Sequence, residues 1–499
     1  MSEKMMGPDP DAIHNGDKKG LASDLEGTGE VLDFSHIDER KVIRKMDIRL
    51  IPMLALLYFL SFLDRGNIGN ASIEGLTEDL NMSGPQYNWC LTVFFFTYAA
   101  FEVPSNLLLK KLRPSVWLPI IMVAWGIVMT LMGIVQNYHG LLIARLFLGV
   151  AEAGLFPGVT YYITCWYCKG EAQFRQCLFF SAASVAGAFS GLLAFAIAKM
   201  DGVGGYEGWR WIFILEGLLT VVVAFFAFFS IYDFPETATF LTEEERAWVI
   251  HRLKYQGSEF GDKKVAEADD FQWKYVKDAF TDWQVYVALI MYWGIVCPLY
   301  GISLFLPAII KNLGYTSSKA QLLTIPIYIT SAVVAIVSSW CSDRHGQRSP
   351  FIFYPMCCIA AGFIICLAAA GRGVPGVIYF GVFVAALGIY PSFPGNITWL
   401  SVNLAGSYKR AAGMAIHIGV GNLAGAMASN FYRKADEPEY ILGHALELGF
   451  VVAGLIAVVV LRLSYQKINK KRLEEGTGSL TVEEMSRMGD KSPAFRYSL

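Results

Sequence analysis

Twelve apolar runs, each of about the 20 residues a helix needs to cross a bilayer, punctuate the chain. In the first half they lie near Leu50–Ala71, Trp89–Leu109, Val116–Val135, Leu141–Tyr162, Cys177–Ala198 and Trp211–Tyr232. In the second half they lie near Val285–Ile310, Leu322–Cys341, Phe351–Ala370, Val377–Leu400, Ala411–Phe431 and Ile441–Leu463. This spacing predicts an all-α membrane protein with twelve transmembrane helices in two six-helix bundles, residues 48–232 and 283–465. A charged connection, 233–282, joins them. Residues 1–47 are polar and read as a disordered cytosolic tail with no cleavable signal peptide. Residues 466–499 read as a cytosolic C-terminal tail.

Charge orients the helices. Arg40, Lys41, Arg44, Lys45 and Arg49 precede the first run, whereas residues 72–88 carry no Lys or Arg. Lys110, Lys111 and Arg113 follow the second run, and the connection after the third has none. The central connection and the C-terminal tail are basic again. Both termini and the central connection are therefore expected in the cytosol. Composition agrees: 54% of the 499 residues are hydrophobic and 17% charged, too few charges for a soluble surface. A net charge of −2 gives no electrostatic reason to expect nucleic acid. The nine cysteines sit mostly in or beside apolar runs and read as reduced packing residues, Cys165 and Cys168 included.

Ionisable residues inside apolar runs are expensive and mark function by default. They are Asp64, Arg65, Glu102, Arg145, Glu152, Glu216 and His417, with His444 and Glu447 near a run's end. Asp64 and Arg65 point about 100° apart and cannot pair well with each other. Counting ~1.5 Å of rise per residue puts Asp64 and Arg145 at similar depth, with Glu152 about 10 Å away. Depth alone therefore predicts an Asp64–Arg145 pair, an unpaired Arg65 facing a cavity, and Glu152 with no cation at its level. A static ion network that only fixes helix packing is the alternative. Glu102 is expected to meet the region between the fourth and fifth helices, and Glu216 to tie the sixth helix to its neighbours. His417 and Asn422, in a glycine-rich stretch, read as a cavity wall. Gly187 and Gly191 read as close-packing positions.

Several stretches together resemble one family. They are Phe62-Leu63-Asp64-Arg65-Gly66-Asn67, Glu102-Val103-Pro104-Ser105-Asn106, Arg145-Leu146-Phe147-Leu148-Gly149, Glu152-Ala153-Gly154-Leu155-Phe156-Pro157-Gly158, Asp233-Phe234-Pro235-Glu236-Thr237 and Tyr432-Arg433 with Pro438, Tyr440 and His444. Over residues 45–465 the chain resembles the fungal allantoate-permease branch of the anion:cation symporter family, in the major facilitator superfamily. Asp343-Arg344-His345-Gly346-Gln347-Arg348 resembles the superfamily's gating-loop motif, carried here by Asp343, Arg344, Gly346 and Arg348. The loop at Lys110–Arg113 lacks that motif, and the fifth helix lacks the glycine-proline pattern of drug antiporters.

The resemblance implies proton-coupled import of a small organic anion such as a vitamin or a ureido or carboxylic acid. It implies Arg65 in anion binding and Asp64, Arg145 and Glu152 in proton coupling. The expected partners are the anion, protons and the lipid bilayer of the cell membrane. No enzyme activity, cofactor, metal or nucleic acid is expected, and a monomer is the expected working unit. An exporter of an acidic metabolite on the same fold and a non-transporting nutrient receptor are the competing readings. Asn81-Met82-Ser83 and Asn70-Ala71-Ser72 are glycosylation patterns in or near an expected outside loop, with Asn81 the better placed. Asn396-Ile397-Thr398 fits the pattern but lies inside the tenth run.

Overall fold

The computed structural model describes residues 34, 36–254, 259–260, 263–264, 273–475, 484–485 and 488–499. Most of the expected N-terminal tail, and part of the C-terminal one, lies outside the described residues. The chain divides into two units, Met1–Lys45 and Met46–Leu499. In the first, the Lys41 backbone N–H donates to Asp38 Oδ1 at 3.3 Å, beside the start of a helix at Glu39.

The long helices, in chain order, are α1 Glu39–Ile73, α2 Gly84–Lys111, α3 Pro114–Met132, α4 Tyr138–Trp166, α5 Lys169–Ile197 and α6 Gly208–Ser230. Then come α7 Trp283–Asn312, α8 Ser317–His345, α9 Pro350–Ala369, α10 Pro375–Asn403, α11 Ser407–Ala428 and α12 Ile441–Glu475. Among the described residues, eleven spans are long and apolar enough to cross a membrane, and α2 adds a further helix of 28 residues. The two six-helix bundles expected from the hydropathy pattern are therefore present.

Local chemistry starts and stops these helices. Ser83 and Gln86 form a capping box at α2, Asn137 caps α4 through the Gly140 N–H at 2.9 Å, and Asp282 caps α7. Prolines open α3, α9 and α10 at positions where a missing N–H is harmless. Gly346, at φ +65°, ends α8 in the left-handed conformation. Helix α1 starts before its apolar run and α12 ends beyond its own. The flanking residues, Glu39–Arg49 and Gln466–Glu475, are rich in Glu, Lys and Arg, which extend helices well. Helix α4 breaks at Ala153–Gly154, where Ser105 of α2 packs against Gly154 too closely for a side chain.

The halves touch near both ends of the helices. At one end, Lys311 Nζ of α7 and Ser317 Oγ of α8 donate to the Ile73 carbonyl at 2.9 and 3.2 Å. Gln321 Nε2 donates to Glu74 Oε1 at 3.1 Å. Toward the other end, Thr398 Oγ1 of α10 donates to Gln176 Oε1 of α5 at 3.4 Å, and further in the Phe180 and Phe393 rings stack 4.0 Å apart at 9°. Between them, Gly187 and Gly191 of α5 press on Tyr328 and Gln321 of α8, so these glycines serve packing across the two halves. The outward faces are apolar, as at Phe225, Phe226 and Phe229 of α6, each more than 60% exposed.

The last residues are docked on the C-terminal half. Lys409 Nζ pairs with Asp282 at 2.6 Å and Asp490 at 2.7 Å. Tyr497 stacks on Tyr465 at 4.6 Å, and the Leu499 carbonyl accepts the Arg348 N–H at 2.7 Å. This contact holds the 343–348 loop, in which Asp343 and Arg348 pair at 3.5 Å. In the same loop the Arg344 guanidinium lies over Trp340 at 5.3 Å.

Candidate functional site

Arg65 lies at the centre of a buried polar chain that crosses between the halves. Its Nε donates to Glu152 Oε1 at 2.7 Å, and Ser61 Oγ donates to the same carboxylate oxygen. Its Nη1 donates to the Tyr300 hydroxyl of α7 at 3.1 Å. Tyr300 in turn donates to Asn422 Oδ1 of α11 at 3.1 Å. Asn422 Nδ2 donates to Glu102 Oε2 of α2 at 3.3 Å. The chain thus runs from the first half to the second and back. Phe62, Phe94 and Tyr98 surround the guanidinium with ring centroids 5.0–5.6 Å away. Phe95 packs against Tyr300 at 4.6 Å.

The observed partners differ from those that depth alone predicts. Asp64 does not pair with Arg145. Its Oδ2 accepts from Trp125 Nε1 at 2.8 Å and from Thr220 Oγ1 at 3.1 Å, on α3 and α6. Arg65 is not unpaired, and Glu152 does have a cation at its level. Arg145 Nε donates to the Cys90 carbonyl at 3.3 Å, and its guanidinium lies on the Phe94 ring at 4.9 Å. The reason is side-chain direction. Helical side chains lean toward the helix N-terminus, so Arg65 reaches back over Ser61 to the level of Glu152. Arg145, on a helix running the other way, leans away from it. The helical turn also sets Asp64 on the Asn67 side of α1, facing α3 and α6 rather than the second half.

Glu102 meets Asn422 of the other half, not the region between α4 and α5. Glu216 accepts from Asn67 Nδ2 at 2.6 Å and ties α6 to α1 as expected. His417 is fully buried beside the chain. Its ring lies 4.6 Å from that of Tyr292, and neither nitrogen has a hydrogen-bond partner among the described residues. Tyr300 was not legible as a site residue, because nothing in an apolar run marks one tyrosine among 24. Glu102 did carry a signal, a carboxylate within a membrane helix, but not its partner. Glu102 Oε1 and Arg145 Nη1 have no hydrogen-bond partner among the described residues. No group of three His, Cys, Asp or Glu there is arranged for a metal ion.

Asn81 is exposed in the turn between α1 and α2. Asn70, by contrast, is enclosed within α1 and donates to Ser190 Oγ at 2.7 Å, which leaves no room for a glycan. Asn396 is fully buried.

Two six-helix bundles with a desolvated Arg–Glu pair where they meet define a multi-pass membrane transporter rather than an enzyme. The chain belongs to the major facilitator superfamily, whose model matches residues 54–429. It is 34% identical to the high-affinity nicotinic acid transporter of Saccharomyces cerevisiae, over 93% of this chain and 85% of that one. It is 34% identical to the MFS-type transporter cnsO of Penicillium expansum, over 98% of both chains. It is 37% identical to an uncharacterised transporter of Schizosaccharomyces pombe, over 91% of this chain and 89% of that one. A bacterial homologue of the human lysosomal transporter Spinster shares the fold, with a TM-score of 0.60 at 16% identity over 83% of this chain and 96% of that one.

Proposed function

We propose that the protein is a proton-coupled symporter of small organic anions, belonging to the allantoate-permease branch of its superfamily. The observation that carries this reading is the buried Arg65–Glu152 pair at 2.7 Å, joined through Tyr300 to the opposite half. A guanidinium is the one side chain that binds a carboxylate in two-pronged fashion. While Glu152 is ionised it occupies Arg65. A proton on Glu152 neutralises the carboxylate, and Arg65 becomes free for the carboxylate of a substrate. Anion and proton then bind together or not at all, which is symport. Because Arg65 also holds Tyr300, exchanging its partner acts directly on a contact between the halves. Asn422 and His417 line the substrate side, with Glu102 beyond Asn422. Asp64, whose Oδ1 has no hydrogen-bond partner among the described residues, is the second acid in the coupling. Arg145 keeps a positive charge near Glu152.

The aromatic rings around Arg65 favour a flat acid, and the nicotinic acid transporter among the relatives makes nicotinate the first compound to try. The test is uptake of labelled nicotinate, allantoate, ureidosuccinate, pantothenate and biotin by cells lacking their own permeases, at two external pH values. Uptake of one of them, faster at the lower pH, is expected. Uptake of none would contradict the reading.

The reading includes a monomer in the fungal plasma membrane, with both termini and the gating loop in the cytosol and the α1–α2 turn outside. Asn81 then carries a glycan. Asn81→Gln is expected to increase the protein's electrophoretic mobility as glycosidase treatment does. An N-terminal tag reached by antibody on intact cells would contradict this topology.

A further inference from the structure

A further buried acid, on a helix of the C-terminal half, lies apart from the Arg65 chain and, unlike Asp282 and Asp490, has no lysine beside it among the described residues. Glu447 of α12 is fully buried, and neither carboxylate oxygen has a hydrogen-bond partner among the described residues. His444 lies three residues earlier on the same helix face and is also buried. Its Nε2 has no such partner either, and its Nδ1 lies 3.3 Å from the Tyr432 hydroxyl. The groups facing this pair are few. Cys297 comes from α7 and Phe363 from α9, whose ring is 5.8 Å from that of His444. Tyr432 lies near Cys366 of α9, and its ring is 5.6 Å from that of Tyr440. No Lys or Arg pairs with Glu447 or His444 among the described residues.

Two contacts take this cluster beyond a packing role. Tyr432 and Tyr440 also line a cavity of about 220 Å³ between the α1–α2 turn and α7, whose charged wall residues are Glu78, Lys311, Lys434 and Glu437. Tyr432 thus touches that cavity, is paired with His444 and lies beside Glu447 at Gly301, although no hydrogen bond joins either side chain to the carboxylate. The Glu447 carboxylate also lies against Gly301 of α7, where a side chain would meet Glu447 Oε1 and, at 3.1 Å, the Tyr432 ring. Gly301 follows Tyr300, the residue that links Arg65 to Asn422.

We propose that Glu447 is a proton-binding site of the C-terminal half, reached from this cavity through Tyr432 and His444 and pressing on α7 beside Tyr300. One proton from the cavity adds to a Glu447 oxygen and makes the neutral acid. Its departure leaves a carboxylate with no cation to offset it, which must turn to the Tyr432 O–H or a His444 N–H for a donor. That turn changes the contact with Gly301 and so bears on Tyr300. Only this last step, the proton's use in transport, rests on the symport reading.

The test needs no substrate, so its outcome is independent of whether the anion reading holds. The full chain is purified into lipid nanodiscs, and infrared difference spectra are recorded as the pH is lowered. A component of the protonated-carboxyl C=O absorption is expected to grow on acidification in the wild type and to be missing in Glu447→Gln, while the components of the other buried acids, Asp64, Glu102, Glu152 and Glu216, remain. Tyr432→Phe is expected to keep the Glu447 component and move its midpoint by about half a pH unit or more. A folded Glu447→Gln protein with the wild-type difference spectrum would overturn the proposal. If that variant does not fold, Tyr432→Phe decides alone: a moved midpoint supports the proposal, and an unmoved one overturns it.

Discussion

Replacing Arg65 by lysine is expected to remove about 99% of anion uptake while the protein still reaches the membrane. Lysine keeps the charge but loses the planar fork that serves Glu152 and Tyr300 at once. Losing one partner of a buried, hydrogen-bonded charge pair from a binding site costs about 2–5 kcal/mol of affinity, and 3 kcal/mol is roughly two orders of magnitude in a rate or binding constant. Surface labelling with uptake of labelled acid separates lost transport from lost protein. Arg65→Ala should be as inactive as Arg65→Lys, or more so. Near-normal uptake by either variant would remove Arg65 from the site.

The second large effect belongs to Glu152. With one proton moved per anion, each unit of pH gradient sustains about a tenfold accumulation, equivalent to roughly 1.4 kcal/mol. Glu152→Gln cannot exchange the proton, so its accumulation ratio should fall to about one in the presence of the gradient. Its amide oxygen still accepts from Arg65 only as a neutral group, so the guanidinium stays open to substrate. Counterflow, in which labelled anion enters against unlabelled anion inside, should therefore persist. Asp64→Asn should lose less, because an amide carbonyl can still accept from Trp125 and Thr220. A Glu152→Gln protein that folds and still accumulates in proportion to the gradient would contradict the assignment.

The helices were legible in the sequence because a bilayer admits few solutions. An apolar run of the right length has to satisfy its own backbone, and a charge within it has to find a partner. Arg65 and Glu152 stand out on those grounds from residue type and position alone. Who pairs with whom was not legible, because depth along the membrane is only one of the coordinates that matter. Arg65 and Asp64 are neighbours in sequence, yet one faces the opposite half and the other faces α3 and α6. Rotation about the helix axis and the lean of side chains decide that. Trp125, Tyr300 and Asn422 enter the site from other helices, and their roles exist only once the helices pack. The break in α4 at Gly154 was likewise hidden, since it answers to Ser105 on another helix.

The central claim is that a proton on Glu152 is exchanged for a carboxylate on Arg65. It is tested most directly in proteoliposomes holding the purified chain, with an inward pH gradient of one unit and the labelled acid that the uptake panel identifies. Accumulation of about tenfold, collapsing to about one when a protonophore and a potassium clamp remove the gradient and the potential, is the predicted result. Accumulation that ignores the gradient, or that survives unchanged in Glu152→Gln, would contradict the account.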